Sequence, residues 1–479
     1  MRNTYLQMCD YGSRFRILKG GKISLVVSAF FAGVTLLHAA PSGGVVTSGT
    51  ANIAQNGAVT TINQSSQKAS INWTNFSIGA SETVNFNQPN VSAIALNRVV
   101  GNEKSIIDGA LNANGQVWIL NSNGVLFNST AKINTSGLLA TTKSLSDEDF
   151  QTGNYIFKGE SSASVINLGE VTINNGGYAS FLANTAQNEG VIKAIRGVVT
   201  LTGANEAVIN LNGNSLVSLK VNKGVLDALV ENKGAILAEG GKVYLTTNAV
   251  DELLKGVVNN TGIIEAKSID DISSEVVLYA HGGTTNVSGT IDASGGFVET
   301  SGKNLSVADG TIVKAKKWLL DPTNVIVDDI GNGGTINATT IEANLAASSG
   351  EIEMQANGGD ITVNQAINIF ITNGEGYTAG GLVLTAGNDI NINNIITVGP
   401  EAYLSLNHGW NGTAYNGSNG ADIYGHGGKI TFGMNAAKQI LLEKWFSLQM
   451  KTLQVLKIVR FISMMYNKPS SAQWLIYKL

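Results

Sequence analysis

The side chains able to do chemistry are few, and they are scattered. The histidines are His38, His281, His408 and His426. His38 falls in an apolar leader, and His281 and His426 sit in Gly-rich turn text. Asp270-Asp271, Asp328-Asp329 and Asp360 also fall in or near turns. Glycoside cleavage needs clustered carboxylates on one face, or an acid beside a base. Turn-borne acid pairs could take Ca²⁺, but no nine-residue Gly-Gly-x-Gly-x-Asp repeat accompanies them. No P-loop, GxSxG or HExxH is present. Asn-x-Ser/Thr triplets such as Asn72-Trp73-Thr74 match glycosylation acceptors. A chain this rich in Asn, Ser and Thr supplies them by chance. The residues predict no enzyme, no cofactor and no metal site.

Composition points to a scaffold. Gly is high at 56 and Pro low at 5 in 479 residues, and only 14% are charged. That mix favours turns and β-branched strands over helices. A net charge of −4 gives no reason to expect nucleic acid as a partner. The one cysteine, Cys9, lies in the leader, so the processed chain has no disulfide or thiolate chemistry.

Residues 1–40 read as a secretory signal with an extended basic region. Arg2, Arg14, Arg16, Lys19 and Lys22 face one acid, Asp10; residues 23–37 are apolar, and His38-Ala39-Ala40 forms a small-residue exit. The apolar run is short for a membrane span. A membrane anchor is the competing reading.

What must position any function is a repeat. Asn167-Leu168-Gly169, Asn188-Glu189-Gly190, Asn232-Lys233-Gly234 and Asn260-Thr261-Gly262 share Asn-x-Gly followed by apolar residues. The steps are 21, 44 and 28 residues, with 44 taken as two steps of 22. Alternation in NEGVIKAIRGVVTLTG (188–203), with Val191, Lys193 and Ile195 against Ile192 and Ala194, places one face inward and the other in water. Short strands with glycine corners at this period predict an all-β solenoid, a right-handed parallel β-helix of roughly 19 coils and about 90 Å. Helical solenoids have longer repeats, and no leucine ladder is present. Residues 41–165 are expected to cap the first coil, because an open parallel edge templates aggregation. Residues 166–435 form the shaft, with a junction at 316–326 around Trp318-Leu319-Leu320-Asp321-Pro322. Residues 436–479 lack the pattern. Helix-like spacing at Leu441, Trp445 and Leu448 suits either a cap or out-of-frame text after a frameshift.

The most specific text is residues 105–127, SIIDGALNANGQVWILNSNGVLF. Turn sequences Asn112-Ala113-Asn114-Gly115 and Asn121-Ser122-Asn123-Gly124 bracket the apolar strand Val117–Leu120, and Val125–Phe127 follows. With INWTNFSIGASETVNFNQP (71–89), ALNRVVG (95–101) and GLLATT (137–142), this resembles the secretion domain of filamentous-haemagglutinin-like exoproteins. The likeness is strong over about 41–180.

The resemblance implies a secreted, surface-associated adhesin of a Gram-negative bacterium. It would cross the inner membrane by the Sec translocon, lose its leader to signal peptidase, and leave the periplasm through a two-partner outer-membrane β-barrel transporter. Its receptor would be a host-cell or bacterial surface. In the family an Asn-Pro-Asn-Gly tetrad at the second turn is needed for secretion. Asn121, Ser122, Asn123 and Gly124 are therefore the transporter-recognition candidates, with Ser122 in place of proline. A second family motif, Asn-Pro-Asn-Leu, survives only in Ile166-Asn167-Leu168. Rival readings are the stalk of a contact-dependent toxin and a β-helix polysaccharide enzyme.

Overall fold

The computed structural model describes residues 40–248, 256–348, 350–369, 380–398, 402–408, 423–425 and 430–432. The leader up to residue 39, the tail 436–479 and the side chains of His408 and His426 lie outside the described residues.

The backbone winds as a parallel β-helix with three faces. On the first face Lys68–Trp73, Ile94–Val99 and Gln116–Leu120 pair in parallel, and the ladder continues through Gly380–Ala386 and Ala402–His408 to Ile423–Gly425. Second-face strands include Val59–Gln64, Thr83–Asn87, Ala110–Ala113 and Val191–Lys193. The third face carries Ser105–Ile107, Val125–Phe127, Ser164–Asn167, Thr185–Asn188 and Leu229–Asn232. Parallel strands joined in this way wind right-handed. Side chains alternate as expected of rungs: Ile192 and Ala194 are wholly buried, while Val191 and Lys193 are exposed. Stacking puts Val84, Leu111, Ile133, Val171, Ile192, Ile236, Ile264, Ile291 and Val313 in one inward column of the second face. No single coil can bury that column alone, so each is stable only against its neighbours.

The coils are fewer than the repeat spacing predicts. Thirteen successive pairings join fourteen strands on the first face among the described residues. At about 4.8 Å per rung the stack is about 65 Å long rather than 90. The 44-residue step is one coil, not two, since Asn188 pairs directly with Asn232. The surplus residues leave the helix as an antiparallel hairpin, Glu206–Asn212 with Ser215–Lys223. Its strands alternate like rungs, which is why spacing alone reads them as a coil. The two-residue turn at Gly213-Asn214 is the signal that separates them.

A second excursion, residues 143–163, carries the helix Asp147–Thr152 and the strand Ile156–Lys158, which joins the hairpin as a third antiparallel strand. This small sheet and helix cover the outer side of the first face. Trp118, Tyr178, Leu96, Leu139 and Leu182 point outward from the rungs and are buried beneath Phe150, Tyr155, Phe157 and Ile209.

Antiparallel strands cover the first coil. Val45–Ser48 runs antiparallel to Lys68–Trp73, and Ala51–Asn56 forms a hairpin with Val59–Gln64, so the first coil presents antiparallel rather than open parallel strands. The backbone has no break at 165: Ser164–Asn167 is paired in parallel on both sides.

Near residue 320 the construction changes. The second-face ladder ends with the first part of Ile312–Pro322, and the helix Ala338–Ser348 then packs on that strand, burying Ile341 and Leu345. Asn344 accepts from the Val313 amide at 2.6 Å and donates to the Thr311 carbonyl at 2.8 Å, closing the edge that the missing strand leaves. Trp318 is buried and donates its indole N–H to Thr300 Oγ1 at 3.0 Å.

Candidate functional site: the Asn121–Gly124 corner

The corner joins Gln116–Leu120 on the first face to Val125–Phe127 on the third. The Gly124 amide donates to the Asn121 carbonyl at 3.0 Å, closing a tight turn. Asn121 Oδ1 accepts the Asn123 amide at 2.9 Å, an Asx turn that a residue without a short side-chain acceptor cannot form. The Asn121 side-chain amide donates to the Glu103 carbonyl at 2.9 Å and to Ser105 Oγ at 3.0 Å. The Asn123 side-chain amide donates to the Gly101 carbonyl at 3.1 Å. Both asparagines therefore fasten loop 101–105, one coil earlier. Gly124 has φ of 108°, and an added Cβ would press on the Ser164 carbonyl one coil later.

Exposure separates the four residues. Asn121 is 1% exposed and Gly124 is buried, whereas Ser122 is exposed and Asn123 partly so. The Ser122 carbonyl accepts from Ser161 Oγ at 2.6 Å, which ties the corner to the 143–163 excursion. That excursion is held in turn by Lys143, buried beneath it, whose ammonium donates to the Ser161 carbonyl at 3.1 Å and to Asn205 Oδ1 at 3.3 Å. Burial pushes the Lys143 amine down to about 8, with Glu160 working the other way. One network thus connects the corner, both excursions and the preceding coil. Sequence reading located the four corner residues but not Ser161, Lys143 or Asn205, whose partners are distant in sequence.

The other turn, Asn112–Gly115, is shorter than its text implies. Asn112 and Ala113 belong to the second-face strand, and only Asn114 and Gly115 form the corner. The family-like remnant Ile166-Asn167-Leu168 ends a third-face strand with Asn167 fully buried.

The scattered chemical groups stay scattered. His281 lies within the strand Glu275–Val287 rather than in a turn, and its Nδ1 meets Tyr279 Oη at 2.7 Å on the exposed surface. Asp270 pairs with Arg196 at 2.8 Å. Asp328 accepts from Asn332 and Asn364, and Asp360 accepts from Asn388, so these acids stitch neighbouring loops. Among the described residues no three His, Cys, Asp or Glu side chains come together as a metal site. Asp321 is the most perturbed carboxyl among the described residues. Burial pushes its carboxyl up to about 7, and Glu299 and Glu353 add to the rise.

A three-faced β-helix carrying a capped start and an asparagine-built corner defines the secretion module of an exported passenger protein. Comparison with known proteins agrees. The model of the TPS secretion domain family matches residues 37–286, more than half of the chain and well past residue 165. This protein belongs to that family, the exoproteins of two-partner secretion. Such exoproteins leave Gram-negative cells through the periplasm and an outer-membrane transporter partner. The chain is 32% identical over 268 residues to a heme/hemopexin-binding protein of Haemophilus influenzae strain Rd, covering 54% of this chain and 29% of that protein. A second Haemophilus influenzae protein of that name is 28% identical over 420 residues, covering 77% of this chain and 44% of its own length. The chain thus spans less than half the length of these curated relatives. The HMW1 secretion domain from Haemophilus influenzae superposes with a TM-score of 0.58 at 23% identity, covering 77% of this chain and all of that one.

Proposed function

We propose that this chain is the N-terminal part of a surface-attachment exoprotein, a non-enzymatic adhesin. Its leader, residues 1–40, takes it through the Sec translocon and is removed by signal peptidase. Residues 41–165 then engage the transporter, the Asn121–Gly124 corner serving as the recognition element. Residues 166–435 form the shaft that reaches a host-cell or bacterial surface receptor. Coils that form outside the cell bury apolar rungs as they stack, which favours outward movement.

The observation that carries this reading is the family match over residues 37–286. The burial of Asn121 supports an indirect role for the corner, with the asparagines ordering it and Ser122 and Asn123 presenting its surface. A second reading, capture of haem or hemopexin, is favoured by the names of the two similar Haemophilus proteins.

The test is expression of the whole chain with its transporter, followed by incubation of the exported protein with epithelial cells and, separately, with hemopexin. Export with cell binding supports attachment. Export with hemopexin binding alone replaces it by the second reading. Retention in the periplasm despite the transporter contradicts both.

A further inference from the structure

We propose that the outward side of the second face, over its first four rungs, binds a neutral extended glycan. Thr61, Asn85, Asn112 and Asn134 stand side by side there on consecutive paired strands, about 4.8 Å apart. Asn87 and Asn114 stand beside them at the edge of the same strands. These side chains line an open groove of about 450 Å³ that no Lys, Arg, Asp or Glu enters. The one aromatic at its floor, Phe86, is only 2% exposed. The surface therefore offers hydrogen bonds without charge and with little apolar area, which disfavours both ions and an apolar protein interface.

The amides are positioned and only partly used. Asn112 donates to Asn85 Oδ1 at 3.1 Å, and Asn134 donates to Asn112 Oδ1 at 3.4 Å. Each side-chain amide has two N–H donors and an oxygen with two lone pairs. The ladder uses one lone pair of Asn85, one donor and one lone pair of Asn112 and one donor of Asn134, and leaves the other capacity of these amides outside the ladder. Asn114 is clamped by Gln88, donating to its carbonyl and accepting from its amide, both at 2.7 Å. A row of fixed donors and acceptors repeating at rung spacing matches vicinal hydroxyls repeating at nearly the length of one hexose. A bound glycan would run along the stacking axis, one sugar per rung.

This inference deepens the attachment reading by naming a ligand class, and it is tested on purified exported protein so that the two can fail separately. Cellohexaose, maltohexaose and chitohexaose are titrated calorimetrically, with polygalacturonate as an anionic control. At least one neutral hexasaccharide should bind. The variant Asn85→Val/Asn112→Val/Asn134→Val should weaken that binding by about tenfold or more while keeping the strands. Should the triple variant misfold, Asn112→Thr, which copies Thr61 in the same row, should still weaken binding by about threefold at an unchanged melting temperature. Absence of binding by all three neutral sugars, binding of polygalacturonate alone, or unchanged affinity in a folded variant overturns the proposal. Cell attachment that persists under any of these results leaves the adhesin reading standing.

Discussion

Asn188 donates its side-chain amide to Asn232 Oδ1 at 2.8 Å, although 44 residues separate them. The contact is one step of a buried column: Asn167 donates to Asn188, and Asn232 to Asn260, at the same 2.8 Å. All four are fully buried. Each sits where the third face turns into the second, and the glycine two residues on lets consecutive coils touch, since a Cβ at Gly234 would collide with the Gly190 carbonyl. Buried amides are costly unless satisfied, so the column fixes both the register and the corner.

Asn188→Ala should therefore strand two amides at once. We expect a loss of about 2–6 kcal/mol, from one to three for each unpaired buried group. Asn188→Asp should be at least as damaging near neutral pH, because a carboxylate cannot donate to Asn232. Chemical denaturation of the three proteins checks this. Equal midpoints would mean that the column does not bear on stability.

Trp118 is the pivot of the outer core. Its indole donates to Tyr178 Oη at 2.6 Å, and its ring lies 4.8–5.5 Å from those of Tyr155, Phe150 and Phe157. Trp118→Ala should cost about 3–5 kcal/mol and free the two excursions before the helix itself melts. Limited proteolysis should then cut first within 143–163 or 204–228. Cleavage elsewhere, or wild-type resistance, would contradict the packing described.

Asp321 sets a pH dependence. Its carboxyl titrates near 7 in the folded chain against an ordinary value of 3.8, so between these values the folded state holds the proton more tightly than the unfolded one. Stability from this group is present below about pH 4 and falls as pH rises towards 7. Asp321→Asn should remove that fall, so its advantage over wild type should grow from about pH 4 to pH 7 and level off above that. Melting curves from pH 4 to 8 check the sign. A difference that shrinks with rising pH would contradict it.

Much of this architecture is legible in the sequence because a β-helix repeats. The Asn-x-Gly text marks one corner of each coil, and Val191 to Ala194 alternates as its rung does. The column formed by those asparagines was not legible, because nothing local distinguishes a buried amide from a solvated turn amide. The excursions were missed for a physical reason as well. Ala207 and Ile209 alternate like rung residues, yet they bury against the outside of the helix, in the cluster that covers Trp118, rather than within it. At the corner, residue types revealed a turn. Burial, which separates Asn121 from Ser122, depends on the neighbouring coils and is not written in the tetrad.

The corner itself yields the most direct measurement, export of three variants with the transporter present. Asn121→Ala/Asn123→Ala should accumulate in the periplasm, because it loses the Asx turn and both ties to loop 101–105. Ser122→Pro should be exported like wild type, since the exposed Ser122 contributes only its carbonyl, to Ser161, among the hydrogen bonds described at this turn. Ser122→Arg, which alters only the outer surface, should fold normally and lose export if that surface meets the transporter. The account predicts that the double asparagine variant stays in the periplasm while Ser122→Pro reaches the medium. Normal export of the double asparagine variant would contradict it.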